Sequence, residues 1–185
     1  MNHNQSVVIT GIGTVSPLGL DIQSSWSELI AGTSGIQLIN AFDTEGFETR
    51  FAGEVKSFDP EQYMDRKDAR RMDRFAQFAV TAAKEACKQA DLDISKLDPF
   101  RVGVVVGSGI GGIVTLSEQQ EVLNTRGPRR VTPFLIPMML GDMASAQVSM
   151  ATGAMGANFC TVSSCSSGAD ALGQGWDMIR RGQAD

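Results

Sequence analysis

Apolar and polar positions along this chain switch between two periods, and the switches mark out its elements. Ser6-Val-Val-Ile-Thr10 is a short apolar run that predicts a strand, and Gly11-Ile-Gly-Thr-Val-Ser-Pro-Leu-Gly19 turns out of it. Asp21 reads as the N-cap of a helix through about Ile30, with Trp26, Leu29 and Ile30 on its inner face and Gly32 just past its end. From Ile36 to Phe58 short apolar pieces alternate with Gly and acidic residues. This predicts irregular structure with short strands, such as Arg50 to Val55, ended by Asp59-Pro60. A helical period then takes over: positions 72, 75, 79, 82, 83, 86 and 90 are apolar, and a helix over Phe75–Ala90 follows, Ala-rich on the side that packs.

The second half alternates more regularly. Arg101-Val-Gly-Val-Val-Val106 is a continuous apolar strand of the buried parallel type. A helix is predicted from Ile113 to Asn124, ended by Arg126-Gly-Pro128. A buried Met- and Ala-rich helix is predicted from Pro137 to Met150, closed by Gly153 and Gly156. Phe159 to Val162 is the next strand. It stops in Ser163-Ser-Cys-Ser-Ser-Gly168, and a helix from Ala169 to Arg181 follows, with Gly182 at a C′-like position. A helix after a parallel-type strand normally returns the chain to another strand, and none arrives before Asp185. The pattern is α/β and reads as cut within its alternation.

Composition narrows the function classes. The 185 residues are 42% hydrophobic and 20% charged, enough for one domain with a core, and the net charge of −5 disfavours nucleic acid as the main partner. Against that charge, Arg66, Lys67, Arg70, Arg71 and Arg74 form a dense basic cluster, which is either a solvated helix face or a dock for an anionic partner. The three cysteines, Cys87, Cys160 and Cys165, have no CxxC spacing, which argues against a disulfide framework or a zinc site. The longest apolar run, Phe134 to Leu140, contains Pro137 and is too short to span a bilayer. With no basic, then apolar, secretory leader in view, a cytoplasmic location is the simplest assignment.

Two glycine runs invite a nucleotide and fail the test. Gly11-x-Gly13-x-x-Ser16 is interrupted by Pro17 where a phosphate-binding helix should begin. Gly107-Ser-Gly-Ile-Gly-Gly112 matches G-x-G-x-x-G, but the region about 20 residues on has no strand ending in a carboxylate, and no Gly-Lys-Ser/Thr follows. These glycines predict close backbone approach beside a site, with Ile110 presented into it. Cys165 is the strongest chemical candidate. A thiolate is a nucleophile, a helix N-terminus favours negative charge, and the flanking serines and Gly168 leave room for a substrate. On this segment alone, a small buried thiol is an equal reading.

Taken together, the motifs resemble the N-terminal part of the type II β-ketoacyl-[acyl-carrier-protein] synthases, the elongating condensing enzymes of fatty acid synthesis. The residues that carry the resemblance are Val8-Ile-Thr-Gly-Ile-Gly13, Ser16-Pro-Leu-Gly19, Arg71-Met-Asp-Arg-Phe75, Gly107 to Gly112, Val131-Thr-Pro-Phe-Leu-Ile-Pro137, Asp142-Met-Ala144 and Val162 to Gly168. The resemblance implies a thiolase-like fold, layered α-β-α-β-α in the complete enzyme, with residues 1–185 an incomplete N-terminal half. It implies that Cys165 accepts the acyl chain as a thioester, its own N–H forming part of an oxyanion hole. Ile110 and Phe134 become substrate-binding positions, and Lys67, Arg70 and Arg71 dock the acidic acyl carrier protein. It implies a homodimer when complete, and no cofactor or metal.

There are departures. Position 142 is Asp where the family commonly has Asn, and Cys160 sits in a strand where other residues are usual and is expected to be buried and inert. The two histidines that support decarboxylation in the family lie in its C-terminal half. The single histidine here, His3, falls in an expected frayed terminus. The acyl-accepting half of a site is therefore expected, inactive by itself. A polyketide ketosynthase shares the nucleophile motif and stays open. A chain-length-factor subunit would lack Cys165, and a redox module would need a better-placed resolving cysteine than Cys160.

Overall fold

A computed structural model describes residues 6–185. His3 lies outside them. Helix α1 spans Ile22–Ile30, and Asp21 caps it, its carboxylate accepting the Ser24 N–H at 2.8 Å. The inner face differs from expectation: Trp26, Leu29 and Ile30 are all exposed, and Ser25 is the buried residue, its hydroxyl donating to Gly19 O at 3.1 Å. Periodicity identifies an apolar stripe; here nothing among the described residues covers it. Strands β1 (Ile36–Leu38) and β2 (Phe51–Gly53) pair antiparallel, Ile36 opposite Gly53.

The charged segment forms a one-turn helix, α2 (Arg66–Ala69), and the long helix α3 (Arg74–Gln89) starts after a break at Met72-Asp73. Its deepest positions are Ala76, Val80 and Thr81, so the buried face is turned about one position from the apolar stripe, and Phe75, Ala79 and Ala83 flank it. The alanines have a second use. A β-carbon on Gly11 would lie 2.1 Å from Ala86 O, and one on Gly13 would lie 2.0 Å from Ala82 O, so only glycines let this turn lie on the helix. Glu85 ties the same turn down, accepting from Thr14 N at 2.9 Å and from Ile22 N at 2.8 Å. The apolar run before it, residues 6–10, forms no ladder with any described residue, and Val8 and Ile9 are exposed. A strand needs a neighbour for its N–H and C=O groups, and residues 6–10 have none among the described residues.

The central pair is parallel: β3 (Val104–Gly107) beside β4 (Asn158–Thr161), with Val104 opposite Asn158 and Gly107 opposite Thr161. Residues 99–101, the last of them expected in the strand, form a 3₁₀ turn instead. Between the strands run α4 (Ile113–Arg126), α5 (Leu135–Met139) and α6 (Met143–Thr152). The single helix expected over 137–150 is thus broken at residues 140–142. Leu140 is extended, and Gly112 donates its N–H to Met139 O at 2.9 Å, a tertiary bond that the local pattern does not carry. Gly153 ends α6 in the left-handed conformation, φ 83°.

Helix α7 (Ser167–Arg180) follows β4. Strand alternation sorts the layers. Val104 and Val106 face the core formed by Met64, Met72, Ala76, Val80, Ala144 and Val148, while positions 103 and 107 face α7. Helices α3 and α6 therefore cover one face of the pair and α7 the other. A β-carbon on Gly107 would lie 2.2 Å from the Ser167 carbonyl carbon and oxygen, so the strand end and the helix start touch backbone to backbone.

Replacing Gly107 by Ala is expected to cost on the order of 3 kcal/mol through overpacking against fixed backbone. Replacing Gly173, where a β-carbon meets nothing within 4 Å, is expected to stabilise the helix by roughly 0.5–1 kcal/mol. Urea unfolding of the two variants of this chain, followed by circular dichroism, checks both signs.

Candidate active site

Cys165 stands on a strand–turn–helix corner that serines hold in place. β4 ends at Thr161, residues Ser164–Ser166 make one 3₁₀ turn, and α7 starts at Ser167. Ser164 has φ 53°, the left-handed region that side chains with a β-carbon avoid at a cost of roughly 1–2 kcal/mol. Hydrogen bonds fix that conformation. The Ser167 hydroxyl accepts from Ser163 N at 2.9 Å and donates to Ser164 O at 2.7 Å. Thr161 Oγ1 donates to Ser167 O at 2.8 Å, and the Ser163 hydroxyl donates to the Asp170 carboxylate. The result is a thiol lifted clear of the strand: Cys165 is exposed, two residues ahead of α7, whose N-cap Ser166 makes no side-chain capping bond.

The other cysteines differ in setting. Cys87 is half-buried on α3, and burial pushes its thiol pKa up. Cys160 is half-buried in β4, opposite Val106, with its Sγ against Thr161 O at 3.3 Å.

The Gly107–Gly112 loop lies against this corner. Ser108 N continues the ladder to Thr161 O at 3.1 Å, Gly111 takes φ 80°, and its N–H reaches Ser108 Oγ at 3.0 Å. The space beside Gly109 opens onto Ser164, its carbonyl oxygen 3.6 Å from where a β-carbon would stand. Ile110, at the tip, is 71% exposed. The loop carrying Ile110 and the turn carrying Cys165 are therefore neighbours through Gly109 and Ser164.

Phe134 belongs to a second cluster. It lines an open depression of about 510 Å³ with Arg66, Lys67, Arg70 and Arg71. The Arg71 guanidinium stacks over its ring at 4.7 Å, a cation–π contact that holds the charge at the surface. Lys67, Arg70, Arg71 and Phe134 thus come together, apart from the pairing of Ile110 with Cys165. Two members of the basic run have other work. Arg66 pairs with Glu61 at 3.2 Å. Arg74, though exposed, is engaged, donating to Val55 O at 2.7 Å and stacking on Phe58 and Phe78.

Sequence reading missed Asp73. It is the N-cap of α3 and is 6% exposed, yet its carboxylate also reaches α4. An Asp just before a helix signals the first role; the second depends on tertiary placement. Asp142, where the family has Asn, precedes α6 without a side-chain capping bond; its carbonyl accepts the Ser145 hydroxyl at 2.7 Å. Among the described residues no three His, Cys, Asp or Glu side chains gather as a metal site would require, and no helix is long and apolar enough to cross a membrane.

Comparison with known proteins agrees with this geometry. Residues 4–185 match the family model described as the β-ketoacyl synthase N-terminal domain. A 3-oxoacyl-[acyl-carrier-protein] synthase 2 of Staphylococcus aureus (strain COL) is 46% identical over 185 residues, all of this chain and 45% of that protein. Its namesake in Synechocystis sp. is 44% identical over 98% of this chain and 44% of its own length. Among solved structures, the ishigamide ketosynthase/chain length factor superposes with TM-score 0.82 at 29% identity, covering 96% of this chain and 45% of that one. A type II PKS acyl-carrier protein in complex with its ketosynthase gives TM-score 0.80 at 26% identity over 96% of this chain and 48% of that one. The chain spans about half the length of these relatives. It belongs to the β-ketoacyl synthase family, as the N-terminal domain of a thiolase-like fold.

Proposed function

We propose that this chain supplies the acyl-accepting half of a 3-oxoacyl-[acyl-carrier-protein] synthase that elongates fatty acids. One observation carries the reading: an exposed thiol, Cys165, held by a positive-φ serine on a turn into a helix N-terminus. In the first step the Cys165 thiolate attacks the carbonyl of an acyl group carried as a phosphopantetheine thioester. The tetrahedral oxyanion takes the Cys165 N–H as one donor, and the dipole of α7 favours the negative charge before and during attack. The intermediate collapses with cleavage of the carbon–sulfur bond to the carrier, whose thiolate takes up a proton and leaves. In the second step malonyl-carrier protein loses carbon dioxide, the resulting carbanion attacks the acyl thioester, and Cys165 departs as the thiolate. That step needs groups to hold the enolate and manage protons, assigned by resemblance to two histidines outside this chain.

The remaining residues take roles consistent with their placement. Ile110 lines the acyl path next to Cys165. Lys67, Arg70 and Arg71 receive the acidic carrier protein, with Phe134 as the apolar floor of that depression. Phe134 meets the arriving carrier more directly than the reacting carbonyl. A homodimer in the cytoplasm belongs to the same reading; exposed apolar positions on and near α4, Ile113, Leu116 and Ile136, suit a subunit contact. A polyketide ketosynthase would use the same corner. The fatty acid reading is favoured because the 3-oxoacyl synthases are 44–46% identical, and the type II PKS and ishigamide ketosynthase structures 26% and 29%.

Two outcomes test this. Iodoacetamide at neutral pH is expected to alkylate Cys165 well before Cys87, whose raised pKa leaves less thiolate at any pH below it. Peptide mapping that finds Cys165 unlabelled while another cysteine reacts would sink the assignment. In the protein as the cell makes it, the double reversal K67E/R70E is expected to raise KM for acyl-carrier protein on the order of tenfold, an effect that shrinks as salt rises. An unchanged KM removes the docking role.

A further inference from the structure

We propose that Asp73 is a positioning residue for acyl transfer: its single buried carboxylate caps two helices and holds the glycine loop beside Cys165 in register with the basic docking face. The inference rests on the acyl-transfer reading above and assigns a role to a residue that touches neither substrate nor nucleophile.

The geometry is unusual for a capping side chain. Asp73 Oδ1 accepts the Phe75 N–H at 3.3 Å, the ordinary bond of an N-cap to its own helix, α3. Asp73 Oδ2 accepts the Thr115 N–H at 3.0 Å and the Thr115 hydroxyl at 2.6 Å, 42 residues away in the first turn of α4. Helix α4 cannot cap itself, because its N-cap is Gly112, without a side chain. Asp73 supplies that cap from another element. Both helices direct their positive N-terminal ends at one carboxylate, which is how a buried acidic group 6% exposed is accommodated by hydrogen bonds and dipoles.

The consequence reaches the site. Gly112 is the last residue of the loop that presents Ile110. A β-carbon there would meet Asp73 Oδ2 at 3.0 Å and Met138 O at 2.2 Å, so carboxylate, loop end and α5 are in mutual contact. On its other side Asp73 lies two residues after Arg71, which with Arg70 lines the depression that contains Phe134, the N-cap of α5. The carboxylate therefore sits where the docking face and the acyl-path loop join. It fixes the distance between where the carrier lands and where its acyl chain must thread.

Removing the negative charge while keeping shape, as in D73N, places an amide against the Thr115 N–H and hydroxyl. T115V keeps Asp73 and deletes one bond. Both variants are expected to lower kcat for acylation of Cys165 by about 10- to 100-fold, as displaced reacting groups do, with KM for the carrier protein unchanged because the arginines stay. The loss is expected to be larger for long acyl groups than for acetyl, since Ile110 moves with the loop. T115S, which retains both bonds, is expected to restore the rate.

Alkylation of Cys165 by iodoacetamide serves as the control, because its turn is held by serines and not by Asp73. Hydrogen exchange at the Gly112 and Thr115 amides should rise in D73N and T115V and not at Ser163. A T115V protein with unchanged kcat and unchanged acyl-length profile overturns the proposal. So does a loss of iodoacetamide reactivity equal to the loss of acyl transfer, which would mark general unfolding. Should D73N fail to fold, T115V alone carries the decision. A wild-type protein that never acylates Cys165 would instead refute the acyl-transfer reading, and the exchange data would still decide the clamp.

Discussion

The contact between Gly107 and Ser167 is the constraint on which the site rests. A strand end and a helix start approach until no side chain fits between them. This closeness lets β4 turn straight into α7 while β3 hands over to the glycine loop on the same side. Both chain reversals then open at one point. The turn that carries Cys165 and the backbone of Gly109 become neighbours, through Ser164, because Gly107 has no β-carbon. A larger residue there would separate the helix dipole from the strand that aims it.

Strain and hydrogen bonding are balanced around that point. Ser164 sits in a conformation that costs energy, and the serines around it supply the bonds that hold it. Small hydroxyl side chains serve here because they bond to the backbone locally without filling the approach to the thiol. The neighbouring α/β layers do the opposite work. Ala76, Val80, Ala144 and Val148 form a close core of small apolar residues between α3 and α6, which fixes the strand pair from behind. The corner is thus strained in front and rigid at the back, which on the proposed reading suits a nucleophile that has to be exposed and stationary.

Much of this was legible in residue pattern. The Asp21 cap, the Gly153 stop, the parallel-type valine strand and the strand–turn–helix around Cys165 all follow from local chemistry, and each has its place in the fold. What was not legible depends on partners. The stripe of Trp26, Leu29 and Ile30 is real, but periodicity names an apolar face and not the surface that covers it. Residues 6–10 have strand composition and no ladder with any described residue, because pairing is a property of two segments. The break at Gly141 depends on the Gly112 N–H reaching Met139 O, a bond between residues with no local signal. Asp73 was hidden for the same reason: its second cap lies 42 positions away. The basic run was read as one cluster, and packing divided it, with Arg74 spent on Val55 O and two aromatic rings.

On the proposed reading, the division between the two chemical steps follows from what each demands. Thioester exchange needs a thiolate of adequate nucleophilicity, a donor for the oxyanion and an entry route, and each has a candidate on Cys165, α7 and the Ile110 loop. Decarboxylation demands that a developing enolate be stabilised and a carboxylate be released, work for imidazoles or similar donors facing the thioester. The only imidazole of this chain, His3, lies outside the described residues, and the corner around Cys165 is built of serines, glycines and one carboxylate, Asp170. A negative group in the first turn of α7 could stabilise the helix, but it would oppose an enolate forming nearby. On the proposed reading, then, the surroundings of Cys165 favour receiving an acyl group over generating the carbanion that attacks it. The exposed apolar residues of α7, Leu172 and Trp176, lie on the helix that begins at this corner, and the open space beside Gly173 and Gly175 leaves that helix able to take a close-packed neighbour. Any groups that complete the chemistry would have to approach Cys165 without disturbing Gly107, which leaves the solvent side of the corner as their route.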